Sequence, residues 1–284
     1  MKQQRMNKNL SKWAFTLAAL ALFCGSVAAR GQVRYGKIAF RDEFNKASGT
    51  PVDSAKWTAE TGGGGWGNQE LQYYTGDLKN AFHNGAGSLV IKAIKEDLPP
   101  AFNCWYGQCR YTSARLITKG KFDRRYGKFE ARIKIPRGQG MWSAFWMLGS
   151  NIDTVGWAQC GEIDVMENIG REPRTIHGTI HGPGYSGANG IGAPYNLNGT
   201  PIFADDFHVY AAEWTENKIR FYVDGNLYRT LTPKDLPAGK NWVYDHPFFL
   251  ILNLAVGGNW GGAPDETTAF PQEMQIDYVR VYGR

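Results

Sequence analysis

The sequence predicts an all-β fold, an antiparallel sandwich or barrel. Three observations support this. Helical periodicity is scarce, short alternating or continuous apolar runs recur along the chain, and Gly, Asn, Asp and Pro separate them. The strands expected in order are "SLVIKAI" (88–94), "GKFEARIKI" (127–135), "WSAFWML" (142–148), "EIDVME" (162–167) and "TIHGTIH" (175–181). They continue with "HVYAAEW" (208–214), "IRFYVDGNLYRTL" (219–231), "PFFLILNLAV" (247–256) and "MQIDYVRVY" (274–282). The "VDGN" within 219–231 is a tight-hairpin signal, because Asp-Gly tolerates the left-handed backbone such a turn needs. The Gly-rich stretches "TGGGGWGNQ" and "HGPGYSGANGIGAPYN" suit long functional loops. With no repeat or low-complexity linker, one domain is expected.

The amino end has a different logic. Lys2, Arg5, Lys8 and Lys12 precede the apolar run "AFTLAALALFCGSVAA", which ends in small residues. This is the pattern of a secretory leader over 1–29, cleaved after Ala29. The apolar run is short for a membrane span, and Phe23 before Cys24 does not suit a lipid anchor. The expected location is therefore secreted, extracellular or periplasmic, with no membrane attachment once the leader is gone. The leader holds four of the chain's 32 Lys and Arg and none of its 26 Asp and Glu, so the remainder carries +2. No basic stripe remains for nucleic acid. Export also permits a disulfide. Cys104 and Cys109 flank "WYGQ" and either close a small loop or stand as two thiols, while Cys160 suits a small buried hydrophobe.

"GEIDVMENIG" (161–170) carries the chemistry. Side chains alternate along a strand, so Glu162 and Asp164 share a face and Glu167 is out of step. A β-bulge at Val165-Met166 would reset the alternation and bring all three acids to one face. The competing arrangement leaves Glu167 on the other face, next to a loop starting at Asn168. Three acids on one face repel, so at least one keeps its proton near neutral pH. Glycoside hydrolysis uses such a set: one ionised carboxylate at the anomeric carbon and one protonated acid at the leaving oxygen. Calcium is the competing use, although alternating strand positions do not resemble a calcium loop. Aromatic residues make up 14% of the chain. Exposed Trp and Tyr on a concave sheet suit the C–H faces of sugar rings.

The stretch resembles the active-site strand of glycoside hydrolase family 16 in its bulged form, Glu-x-Asp-x-x-Glu. "GWGNQELQYYT" (65–75), "MWSAFWMLGSNI" (141–152), "VGWAQCGEIDVME" (155–167), "HGTIHGPGYSG" (177–187), "FHVYAAEW" (207–214) and "FFLILNLAVGGNWGG" (248–262) resemble the laminarinase-like endo-β-1,3-glucanases of that family. The resemblance runs in order from about residue 37 to 284. It implies a β-jelly-roll of two curved antiparallel sheets with the cleft on the concave face, and hydrolysis with retention. Glu162 would be the nucleophile, Glu167 the general acid/base, and Asp164 the residue between them that tunes charge. His181 would face the acid strand, and His177 lies on the same strand face. Either imidazole could instead be a satisfied core residue.

For substrate contacts, the resemblance points to Asn68, Arg115 and Asn253 as hydrogen-bonding residues. Trp142, Trp157 and Trp260 would be sugar-facing aromatics. Arg115 could equally form a structural ion pair, Trp142 or Trp146 could belong to the core, and Glu70 or Gln72 could reach substrate or line a polar strand face. No cofactor is expected for catalysis. A structural calcium ion away from the cleft is implied, held by Glu43, Gly87 and Asp277. The expected partner is a β-glucan polysaccharide, and a monomer is the expected state. Mixed-linkage β-1,3-1,4-glucanase, agarase and carrageenase activities occur on the same scaffold, and a non-catalytic β-glucan-binding protein is the reading from another class. The bulged acid motif and the presence of both glutamates weigh against the mixed-linkage and non-catalytic readings.

Overall fold

A computed structural model describes residues 36–283; the expected leader and its cleavage site lie outside them. The described chain forms the expected sandwich of two sheets, antiparallel but for the parallel pair Gln72–Tyr74 and Tyr111–Ser113. One sheet has seven strands in the order Ile191–Asn196, Thr175–His181, Glu162–Ile169, Met141–Gly149, Phe248–Val256, Arg115–Ile117 and Thr58–Glu60. The other has ten and is centred on Gly127–Lys134 and Gln272–Tyr282. Within it, Ile38–Asp42 pairs with Gln272–Tyr282, so the first and last described strands are neighbours.

Sequence pattern explains the layering. Thr175–His181 alternates strictly between half-buried and buried positions, so Ile176 and Ile180 enter the core while Thr175, His177, Thr179 and His181 face away from it. Phe248–Val256 is buried throughout: Leu250, Leu252 and Leu254 join the main core, and Phe249 and Ile251 join a second cluster with Cys160. Burying each such side chain contributes roughly 1.5–3 kcal/mol. The "VDGN" hairpin forms as expected, with Asp224 and Gly225 at φ 49° and 77° between strands Lys218–Val223 and Asn226–Leu231.

Cys104 and Cys109 are joined by a disulfide that closes the small hairpin of Asn103–Cys104 and Gly107–Gln108. Cys160 is free and buried.

Candidate active site

The acid strand is where the regular pattern breaks. On one side, Trp146 pairs with Asp164 and Phe145 with Met166; on the other, Asp164 opposes Thr179 and Glu167 opposes His177. Val165 is therefore the extra residue. Val165 and Met166 are consecutive, yet both enter the core, at 1% and 0% exposure. This is the bulge expected at that pair, and it returns Glu167 to the face of Glu162. Both glutamates line a cleft of about 700 Å³ on the seven-stranded sheet.

Each glutamate receives an indole N–H. Trp157 donates to Glu162 at 2.6 Å, and Trp142 donates to Glu167 at 3.0 Å. Asp164 is buried, and its Oδ2 lies 3.1 Å from His181 Nε2. The same nitrogen is 3.9 Å from Glu162. Burial raises all three acids above the ordinary carboxylate range, and repulsion by Asp164 adds to it at Glu162 and Glu167. Burial, then the neighbouring Asp164, pushes Glu162 to about 8. Burial pushes Asp164 to about 7. Glu167 is pushed well up, by burial first and the Asp164 charge second. Glu162 and Asp164 share one strand face against His181, and the Asp164 charge opposes ionisation of Glu162. The Trp157 indole and the His181 imidazole favour negative charge on this pair. Glu167 has one indole donor and faces Asp164 and Glu162, and burial keeps its proton on well above the ordinary carboxylate range.

Glu162, Asp164 and His181 also offer donor atoms within 4.8 Å of one another, the one such set of three among the described residues. His181 Nε2 lies against both carboxylates and the Trp157 indole N–H donates to Glu162, so the three form one electrostatic cluster.

The other expected residues divide. Asn68, Arg115, Trp142, Trp157 and Trp260 all line the cleft, as do His177 and His181. Arg115 does both things expected of it. It pairs with Glu60, and its guanidinium lies between the rings of Trp66 and Trp146, 4.8 and 4.7 Å from their centroids. Trp157 is half exposed, with its indole N–H committed to Glu162. Trp142 is largely buried against Trp260 at its rim, so it serves Glu167 more than an open sugar face. Trp260 is half-buried and edge-on to Trp142 and His177, and its carbonyl accepts from Arg171. His177 pairs with Glu172 at 2.9 Å.

Asn253 departs from expectation. It is buried, its Oδ1 accepts from Trp146 Nε1 at 2.7 Å, and its Nδ2 donates to Tyr74 at 3.1 Å. Both ends of its amide are thus taken by protein, and Asn253 fixes the Trp146 ring in place of a sugar hydroxyl. Glu70 and Gln72 are buried as well and belong to the same network, with Gln72 and Tyr74 both donating to Glu70.

The residues expected to hold calcium do not fit it through their carboxylates. Both Glu43 oxygens accept from Arg280, at 2.9 and 2.7 Å, and Asp277 pairs with Arg132 at 2.8 Å. Gly87 sits in a turn at φ 87° beside Asn45. Each acid already has a resident guanidinium, so the two do not form an oxygen cage.

Sequence reasoning missed Trp66, Thr179 and the wall formed by Gly187, Gly190, Gly192 and Pro194. Trp66 stood in the quoted Gly-rich run, where a large indole between glycines was the available signal. The wall residues belong to the Gly-rich stretch 181–196 read as a functional loop, where glycine and proline pointed to no particular contact.

Two opposed acids, one poised to stay protonated, lie in an aromatic cleft on a β-sandwich; this arrangement defines a glycoside-cleaving hydrolase. Residues 66–280 match the model of Glycosyl hydrolases family 16, and the chain belongs to that family. It is 40% identical to a beta-glucanase of Rhodothermus marinus, over 99% of this chain and 98% of that one. Among solved structures it is similar to the laminarinase catalytic domain of Thermotoga maritima, with 50% identity, a TM-score of 0.82, and coverage of 88% of this chain and 99% of that one. It is also similar to the endo-β-1,3-glucanase of Pyrococcus furiosus, with 51% identity, a TM-score of 0.81, and coverage of 87% and 94%.

Proposed function

We propose that the protein is a secreted, retaining endo-β-1,3-glucanase of the laminarinase type. The observation that carries this reading is the Val165 bulge, which brings Glu162 and Glu167 to one cleft lined by Trp66, Trp146, Trp157 and Trp260. Ionised Glu162 attacks the anomeric carbon. The glycosidic C–O bond breaks, and Glu167 gives its proton to the leaving oxygen. A glycosyl ester remains on Glu162. Glu167, now a base, takes a proton from water, whose oxygen attacks the same carbon and releases Glu162 as carboxylate. Two inversions give net retention. Asp164 and His181 act on the first step: with Asp164 protonated, its repulsion is removed and Glu162 carries the charge beside His181.

The test is a panel of laminarin, curdlan, barley glucan, agarose and carrageenan with linkage analysis of the products, run alongside Glu162→Gln. We expect internal cleavage of β-1,3 bonds by the wild type. The variant should lose hydrolysis while still binding oligosaccharide. Cleavage confined to agarose or carrageenan would overturn the substrate reading, and full activity in Glu162→Gln would overturn the mechanism.

A further inference from the structure

Two of the described tryptophans are exposed, Trp157 at 51% and Trp105 at 48%. Trp157 belongs to the acid cluster. Trp105 lies outside the cleft described above, on the hairpin closed by the Cys104–Cys109 disulfide.

Trp105 is exposed but held in place. Its indole N–H donates to the Glu70 carbonyl at 2.8 Å, and its backbone N–H donates to Gly63 at 2.9 Å. Its ring meets Tyr106 edge-on with centroids 5.5 Å apart. It lies directly on Gly65, where an added methyl group would come within 2.8 Å of Trp105 Cδ1. Gly65 at φ 78° starts the turn that presents Trp66, Gly67 and Asn68 to the cleft. Trp146, the Arg115 guanidinium and Trp66 are stacked along the cleft, and Trp105 packs on Gly65, the residue that precedes Trp66. Keeping a large indole half in water forgoes its burial. Clamping it by a hydrogen bond, a glycine contact and a cross-linked hairpin removes the ordering cost that a ligand would otherwise meet.

We propose that Trp105 is an outlying sugar-binding platform that extends the cleft past Trp66. It stacks on a glucosyl unit of the same β-glucan chain, distant from the bond being cut. This rests on the β-glucanase reading above.

The test compares Trp105→Ala and Trp105→Phe with wild type on laminarin and on the shortest β-1,3-oligosaccharides the enzyme cleaves. A lost aromatic–sugar contact predicts a roughly three- to ten-fold rise in KM for Trp105→Ala on laminarin. On the short oligosaccharides kcat/KM should not change. Trp105→Phe keeps a ring and loses the N–H, so it should stay near wild type on both. Equal losses on short and long substrates would make Trp105 only a prop for Gly65 and overturn the proposal, as would no change on either. A wild-type enzyme that cuts none of the β-1,3-glucans would instead remove the underlying activity, which separates the two failures.

Discussion

Each cleft glutamate has its own indole donor, and the two donors act on different acids. The N–H of Trp157 stabilises negative charge on Glu162, and that of Trp142 does so on Glu167. Replacing Trp157 by Phe removes a donor to charged Glu162 and raises its pKa further. The acid limb of the pH–rate profile should then move to higher pH, with kcat/KM falling about ten-fold on the acid side. Glu167→Ala should be nearly inactive on polymer and recover on a substrate with an activated leaving group. Azide should speed that recovery and give a glycosyl azide of unchanged anomeric configuration; no rescue by azide would argue against the acid/base role. At this scale the sequence was a partial guide. Acids and indoles were legible because few other uses account for them in that pattern. Asn253 was misjudged because a buried amide and a sugar-binding amide look alike in sequence. Only its contacts to Trp146 and Tyr74 separate the two.

Among the elements, the strand Glu162–Ile169 is decisive. Its single extra residue puts Val165 and Met166 side by side in the core and leaves Glu167 in the cleft. Deleting Val165 leaves Glu-x-Asp-x-Glu, in which plain alternation keeps all three acids on the cleft face and Met166 in the core. What is lost is one buried side chain, worth roughly 1.5–3 kcal/mol, and the extra local bend and twist of the bulge. Thermal unfolding should show a lower Tm, and hydrolysis should persist at a reduced rate. A folded deletion variant with no activity at all would show that the bulge sets the spacing of the acids and not only their face. The bulge was visible in advance because a broken period is itself a signal. Strands such as Thr58–Glu60 and Arg115–Ile117 were not, since three residues are too few to show a period. They form because long neighbours offer them a ladder: Arg115–Ile117 pairs with Phe248–Val256.

For the whole molecule, the acid cluster sets a pH dependence of stability. The folded pKa of Glu162, about 8, lies above its ordinary value of 4.5. Folding thus favours the protonated form. That advantage is complete below about pH 4.5 and is lost as pH rises through 8. The cost of ionising the cluster grows through this window, at about 1.4 kcal/mol for each tenfold change in proton affinity. Glu162→Gln removes one ionisable member. Its Tm should exceed that of wild type at pH 8 and match it at pH 4. A gain of equal size at both pH values would mean that packing, and not charge, is responsible. The sandwich itself was legible because nine long strands announced their period or their apolar continuity. The ion pairs between Glu43 and Arg280 and between Asp277 and Arg132 were not, because nothing local tells an acid whether its counter-charge will be an arginine or a metal.

The pairing of Ile38–Asp42 with Gln272–Tyr282 also bears on how this catalyst can be deployed. Both outermost strands belong to the sheet that does not carry the cleft, side by side and clasped by Arg280 on Glu43. A module, surface or fibre joined at either end would therefore take hold through the enzyme's back, leaving the working side turned toward incoming polymer.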